Sequence, residues 1–476
     1  MPYLIVLSLL IILAVILNIN MLRYKKPKVA TVSDTHSRNF DEEKAVDRFS
    51  QMIRCKTVSN KNSELVDESE FEKFRSLLPS LYPTVFDKCE CENIAGGLLI
   101  KMSGKSSACP SVLMAHFDVV SVNREAWEVD PFAAVIKNGC LWGRGTLDTK
   151  CTLFAILESS EILLKENFIP ENDIYFSFGC NEEIAGNCAV SIVQRLKDKG
   201  VHPAFVLDEG GTILSGKTFN ISHNVAAIAI AEKGPMDVEF TVKGESGHSS
   251  KPPKHTAVGI LAKDVSKMEN RQFPMKMNTA VKTMYHNLAP YSGYFRRLAY
   301  SNLWLFSHLI MALSKNKKEK AAMFRTSIAF TQFKGSKGAN VLPEEAKAVA
   351  NIRLAQGQTP EDAVKYLLES SKDKNLKARI VNVSPATPCA ETKGKYWDIL
   401  NNAVTANFKN TIAVPYLMLG GTDSRFYSDI ADNIYKFAPL VTSDELLKTL
   451  HSENERIPLD NIMPLVSFFA DVMERL

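Results

Sequence analysis

From Glu42 onward the chain alternates short apolar runs with amphipathic stretches, the pattern of an α/β fold whose strands are largely buried. The clearest strand signals are Ser111–Ala115, Asp173–Phe178 and Ala204–Leu207, and each ends at or within a few residues of histidine or acidic residues. Helices are predicted over 150–165, where Leu153, Ile156, Leu157 and Leu164 recur at helical spacing, and over 186–198. Around Lys233 the texture changes. Strand-like Met236–Val242, helical Ala257–Met268, strand-like Ser327–Phe333 and Ala346–Leu354, helical Glu361–Ser371 and strand-like Ala378–Val383 follow one another. That β-α-β-β-α-β order predicts a small inserted α/β sandwich over 233–385, splitting the first domain into 42–232 and 386–476. Within the insert, 272–325 is unusually long and carries Trp304, Phe306 and Leu309. It is expected to form extra helices lining an apolar cavity or interface, with plain core packing as the alternative; the run Lys315–Lys320 reads as a solvated face.

The N-terminus breaks the pattern. Tyr3–Leu22 contains no charged residue over about 20 positions, roughly one bilayer crossing. It lacks the basic start and small-residue cleavage site of a signal peptide, and Arg23, Lys25, Lys26 and Lys28 follow it. The expectation is an uncleaved single-pass anchor in a lipid bilayer, then a polar tether over 23–41. The positive-inside rule places the globular part in the cytoplasm, with lumenal or extracellular placement as the alternative.

Composition narrows the partners. Lys and Arg number 57 against 53 Asp and Glu, a net charge of +4 with no basic domain, so nucleic acid is not an expected partner. The nine cysteines are scattered without CxxC pairs, which argues for free packing thiols and a reducing compartment rather than a disulfide framework or structural zinc.

Candidate chemistry gathers at the predicted strand ends, where open α/β sheets place their ligands. His116 and Asp118 stand two apart after the first strand. Asp148 lies in GRGTLDTK, Glu182 and Glu183 in NEEIAG, Asp208 and Glu209 in DEGG, and His451 comes late in the chain. Adjacent buried carboxylates repel unless cations or shared protons offset them. Hard carboxylates with two imidazoles suit zinc or a similar divalent ion, and one bridging carboxylate can hold a pair of ions that activates water. One further carboxylate must stay free to carry the proton.

The ordered motifs MAHFDVV, GRGTLDTK, NEEIAG, DEGG, SGHSS and the late histidine resemble the co-catalytic di-zinc amidohydrolase and exopeptidase family of aminoacylase, carboxypeptidase S and carboxypeptidase G. AHFDVV, EKGPM, GHSSKPP, SNLWLF and GTDSRF are similar in particular to the carboxypeptidase S and N-fatty-acyl-amino acid hydrolase/synthase branch. The resemblance implies a zinc-exopeptidase-like catalytic domain with a mixed, largely parallel sheet, and an inserted lid or dimerisation-type domain through which a homodimer could form. It implies two zinc ions, or cobalt or manganese, bound by His116, Asp148, Glu183, Asp208 and His451. Asp148 would bridge them, Asp118 would orient His116, Glu182 would be the general base and acid, and His248 would stabilise the oxyanion. Asn340, Arg353, Gly421, Thr422 and Arg425 would bind a substrate with a free carboxylate. The implied reaction is amide hydrolysis of N-acyl-amino acids or short peptides. A tethered binding protein that kept the fold and lost catalysis is the contrasting expectation.

Overall fold

The computed structural model describes residues 2–26 and 41–476, so most of the expected tether lies outside the described residues. Two sheets organise the chain. The larger has eight strands in the spatial order Glu90–Ile94, Gly97–Met102, Asn172–Gly179, Ser106–His116, Phe205–Leu214, Ile434–Val441, Asn224–Glu232 and Thr411–Met418. Ser106–His116 pairs in parallel with Asn172–Gly179 on one side and Phe205–Leu214 on the other, so three chain exits open at one edge. The outer pairs with Gly97–Met102 are antiparallel, which makes the sheet mixed. Asn172–Gly179 is buried along nearly its whole length, as an apolar run covered on both faces requires.

The helix Lys150–Lys165 is buried almost all round, more than its one-sided apolar spacing predicts. It is packed against Ser106–His116 and enclosed by Glu42–Ile53, Pro83–Lys88 and the C-terminal helix Ile462–Arg475. A buried Arg48–Glu158 ion pair at 2.8 Å ties the Glu42–Ile53 helix to it. This enclosure fixes the start of the helix, and with it the loop carrying Asp148.

The smaller sheet is antiparallel, in the order Ser327–Lys334, Glu345–Leu354, Gly234–Lys243, Lys377–Val383. Helices Ala257–Asn270 and Pro360–Ser371 pack together with it around Met236, Val238, Phe240, Leu261, Ile352 and Leu367, a core separate from that of the larger sheet. A two-stranded ribbon pairs Gly247–His248 with Val341–Leu342.

Residues 272–325 form helices Thr279–Leu288, Tyr294–Ser301, Leu303–Ser314 and Lys318–Phe324. Thr279–Leu288 packs on the edge strand Thr411–Met418, and Tyr294–Ser301 packs on the N-terminal helix Pro2–Arg23. That N-terminal helix is long and apolar enough to cross a membrane, and most of its surface is exposed. All nine cysteines are free thiols.

Candidate metal centre

His116 ends its strand with the ring buried among carboxylates. Its Nδ1 lies 2.9 Å from the Asp118 carbonyl oxygen, which can only accept. A neutral ring is therefore protonated at Nδ1 and presents its Nε2 lone pair to the site. Nε2 lies 3.2 Å from both Asp148 and Glu209. On the other side of Asp148, His451 Nε2 lies 2.8 Å from its second carboxylate oxygen and 3.1 Å from Glu183. Asp148 thus stands between the two imidazoles with one oxygen toward each, the disposition of a bridging ligand. His116, Asp148 and Glu183 offer donor atoms within 4.8 Å of one another, and so do His116, Glu182 and Glu209.

The electrostatics of this cluster call for added positive charge. Burial, with further push from Glu209, Asp423 and Asp148 against the pull of His116, raises the Glu182 carboxyl well above the usual range. Burial likewise raises Glu209 to about 8. Burial alone would lower His116, but the Glu209 charge and hydrogen bonds to Asp118, Asp148 and Glu209 carry it well above its ordinary value. His451 is pushed up to about 10 by its bonds to Asp148 and Glu183. Against the cost of burial, the two imidazoles hold Asp148 far below the carboxylate range. Four carboxylates closing on two imidazoles in a buried pocket form a donor set that divalent cations fit.

Two buried carboxylates hold the loops in place. Asp118 accepts from the backbone N–H of Glu182 at 3.1 Å and of Glu183 at 3.2 Å, so one side chain steadies both the His116 ring and the NEEIAG turn. Glu455, fully buried and ion-paired with Arg144 at 2.6 Å, accepts from the backbone N–H groups of Gly145, Leu147 and Asp148. It joins the Asp148 loop to the segment carrying His451. In the sequence Glu455 is marked only by its place four residues after His451. Gly145 in that loop has φ +90°, a conformation that suits glycine.

The structure separates Asp208 from the cluster and puts Glu209 in its place. Asp208 spends its carboxylate on the backbone N–H groups of Glu209 at 2.9 Å and Ser424 at 3.0 Å, beneath the site. The pairing of Phe205–Leu214 with Ile434–Val441 passes from Asp208–Lys436 to Gly211–Phe437, leaving Glu209 and Gly210 as a bulge with Gly210 at φ +132°. A bulge re-aims a side chain, and here it turns Glu209 toward His116.

The remaining expected residues fall into two groups. Gly421 and Thr422 line a cavity of about 230 Å³ with Asp148, Glu182, Glu209 and His451. A methyl group placed on Gly421 would lie 3.4 Å from Arg425 Nη1 and 3.8 Å from Arg353 Nη1, so two guanidinium groups flank this glycine. His248 and Asn340 instead sit side by side on the exposed ribbon; Ser249 N–H donates to the Asn340 carbonyl at 3.0 Å. The His248 ring bonds to Ser250 at 2.8 Å. Leu147, Met418, Ala438, Leu440, Leu447 and Leu450 supply the cavity's apolar wall. No residue of 272–325 is among the lining residues of that cavity; helix Thr279–Leu288 packs on the sheet edge and Tyr294–Ser301 on the N-terminal helix, while Trp304 and Leu309 are exposed.

Residues 112–475 match peptidase family M20/M25/M40. The chain is 32% identical to probable carboxypeptidase S-like 2 of Dictyostelium discoideum, over 98% of this chain and 92% of that protein. It is 33% identical to the N-fatty-acyl-amino acid synthase/hydrolase PM20D1 of Homo sapiens, over 88% of this chain and 84% of that one. Among solved structures, the M20 family metallo-carboxypeptidase Sso-CP2 from Sulfolobus solfataricus aligns with a TM-score of 0.67 at 16% identity, covering 90% of this chain and 98% of the other. The di-peptidase Dug1p from Saccharomyces cerevisiae gives 0.63 at 14% identity, covering 93% and 99%. With these likenesses added to the cluster of histidines and carboxylates, the chain belongs to peptidase family M20/M25/M40 and is a metal-dependent hydrolase.

Proposed function

We propose that the chain is a membrane-anchored amidohydrolase that cleaves the amide bond of N-acyl-amino acids. Two zinc ions would be held by His116, Asp148, Glu183, Glu209 and His451, with Asp148 between them; cobalt or manganese would fit the same oxygen-rich set. The observation that carries the reading is that this cluster opens onto a cavity whose wall combines Glu182 with Leu147, Met418, Leu440, Leu447 and Leu450. An acyl chain suits such a wall better than a polar peptide does.

When bound, the ion pair supplies Lewis acidity at the amide carbonyl and acidifies the attacking water. Glu182 takes the proton from that water and delivers it to the leaving nitrogen as the C–N bond breaks, giving a carboxylate and a free amine. Arg353 and Arg425 beside Gly421 grip the substrate's free carboxylate, the task for which a planar guanidinium is suited. His248 would complete the oxyanion site, with Asn340 on the same ribbon contacting substrate. It would arrive either by closure of the 233–385 domain as a lid or from a second copy in a homodimer.

The test is a competition panel of N-oleoyl-amino acids against N-blocked hydrophobic dipeptides bearing free carboxylates, with and without a chelator. Chelator-sensitive turnover that favours the oleoyl compounds is expected. Preference for the dipeptides would replace the acyl assignment with a peptidase one, and chelator-insensitive turnover would remove the metal from the mechanism.

A further inference from the structure

Most of the N-terminal helix is exposed, but its last turns are clasped by the Tyr294–Ser314 region. Asn302 is fully buried at the centre of the clasp. Its side-chain amide donates to the Leu17 carbonyl at 3.0 Å and to Leu298 at 2.8 Å, while its oxygen accepts from Asn20 at 3.0 Å. Tyr294 donates its hydroxyl to the Asn18 side chain at 2.9 Å, and Arg297 donates to the Tyr24 carbonyl at 3.2 Å. The two asparagines of the apolar segment thus find partners in this one corner, and Leu17 and Met21 are buried against it.

Beside the clasp, helix Leu303–Ser314 turns Leu303, Ile310, Met311 and Ser314 inward and leaves the other side uncovered. Trp304 is 62% exposed, Leu309 54% and Leu313 71%; in the preceding helix Phe295 is 83% exposed. His308 is the polar exception on this face. Large apolar side chains left uncovered together along one helix face mark a docking site. Exposed Lys315, Lys317 and Lys318 follow the last leucine of this face in the chain, with Glu319 the nearby acid, and Lys26, just past the N-terminal helix, lies over the Tyr291 ring at 5.4 Å.

We infer that the face formed by Phe295, Trp304, Leu305, Leu309 and Leu313 enters the bilayer as a second, interfacial membrane contact beside the N-terminal helix. The inference rests on reading Pro2–Arg23 as membrane-spanning. The geometry then fixes the depth: Asn302 is bonded to Leu17, six residues inside Arg23, which at 1.5 Å per residue is about 9 Å along the helix. Interfacial helices bury their apolar faces by about 5–10 Å, with basic residues at the level of the headgroups. A corner held at the level of Leu17 cannot remain in water while Leu17 lies in lipid. Helix Thr279–Leu288 of the same insert packs on the strand Thr411–Met418, whose last residue lines the active-site cavity. The membrane contact and the site are therefore joined through one strand.

The chain carries its own probe. Of its four tryptophans, Trp127, Trp142 and Trp397 are buried and Trp304 alone is exposed. The experiment uses the full chain in proteoliposomes of phosphatidylcholine and phosphatidylserine, with and without acyl chains brominated near the headgroup. Quenching is read as the difference between wild type and Trp304→Phe. Brominated lipid is expected to quench the Trp304 component, while aqueous iodide does not. Quenching by iodide and not by lipid, in protein whose N-terminal helix resists carbonate extraction, would overturn the inference while leaving the anchor intact. Protection from both quenchers would also overturn it, in favour of coverage by a second protein chain. Release of the whole protein by carbonate would instead remove the membrane-spanning reading on which the inference depends.

Discussion

The candidate metal site at the edge of the large sheet and the ribbon carrying His248 belong to the same proposed reaction, yet they are built on opposite terms. In the cluster, six side chains from five separate segments meet at 2.8 to 3.3 Å, and Asp118, Asp208 and Glu455 hold the surrounding backbone from beneath. On the ribbon, His248 and Asn340 are exposed, and the His248 side chain bonds only to its neighbour Ser250 among the described residues. The contrast separates two tasks. Ligands must be preorganised, because four carboxylates are tolerable in one pocket only when their counter-charges are fixed. An oxyanion donor can wait on a mobile or borrowed element, because it is needed only once substrate is present.

Substitutions at the two places should therefore fail in different ways. The largest effect is expected at Glu209. Glu209→Ala should lose metal and lower turnover by about 1,000-fold or more, whereas Asp208→Asn should weaken metal binding by only about 10- to 100-fold, as a supporting residue does. Metal analysis after dialysis distinguishes them, and the reverse ranking would restore Asp208 as the ligand. His248→Ala should leave metal content unchanged and reduce kcat by roughly 100- to 1,000-fold, the usual cost of an oxyanion donor. If the histidine acts in a homodimer, mixing His248→Ala with a second inactive variant at Glu182 should recover activity; no recovery would favour lid closure within one chain.

The smallest effect belongs to the joint between the two regions. Lys233 lies between strand Asn224–Glu232 and strand Gly234–Lys243, donating to the carbonyls of Ala322 and Arg325 and to the Ser327 hydroxyl. Burial, with repulsion from Arg353 and Arg325, lowers it from 10.5 to about 7. Between pH 7 and 10.5 the unfolded chain holds a proton that the folded one does not, so this residue makes stability rise with pH across that window. Wild type should gain roughly 2–4 °C in Tm between pH 7 and 9 relative to Lys233→Met. Parallel curves for the two proteins would show that the joint does not sense pH.

Much of this was legible in the sequence because strand ends and glycine-rich turns announce themselves. His116, Asp148, Glu183 and His451, singled out from the ordered motifs, lie within reach of one another, and strand-like Met236–Val242 and Ala346–Leu354 lie in the second sheet. The choice between Asp208 and Glu209 was not legible. Neighbouring strand residues point to opposite faces, and a bulge that depends on pairing with Ile434–Val441 decides which one looks inward. The role of Glu455 was hidden for a similar reason, since its partners are backbone N–H groups about 310 residues away. The apolar residues of 272–325 suggested a cavity, an interface or plain core packing; composition could not say that some pack on the sheet edge and the N-terminal helix while Trp304 and Leu309 stay exposed.

Metal ligands and proton shuttle are thus proposed to be separate parts of one preassembled site. Glu182→Gln separates the two, with metal content and N-acyl-amino acid hydrolysis measured on the same sample. The expected result is about two metal ions per chain with turnover reduced by roughly 100- to 10,000-fold. Near wild-type turnover with both metals in place would remove Glu182 from the proton transfer.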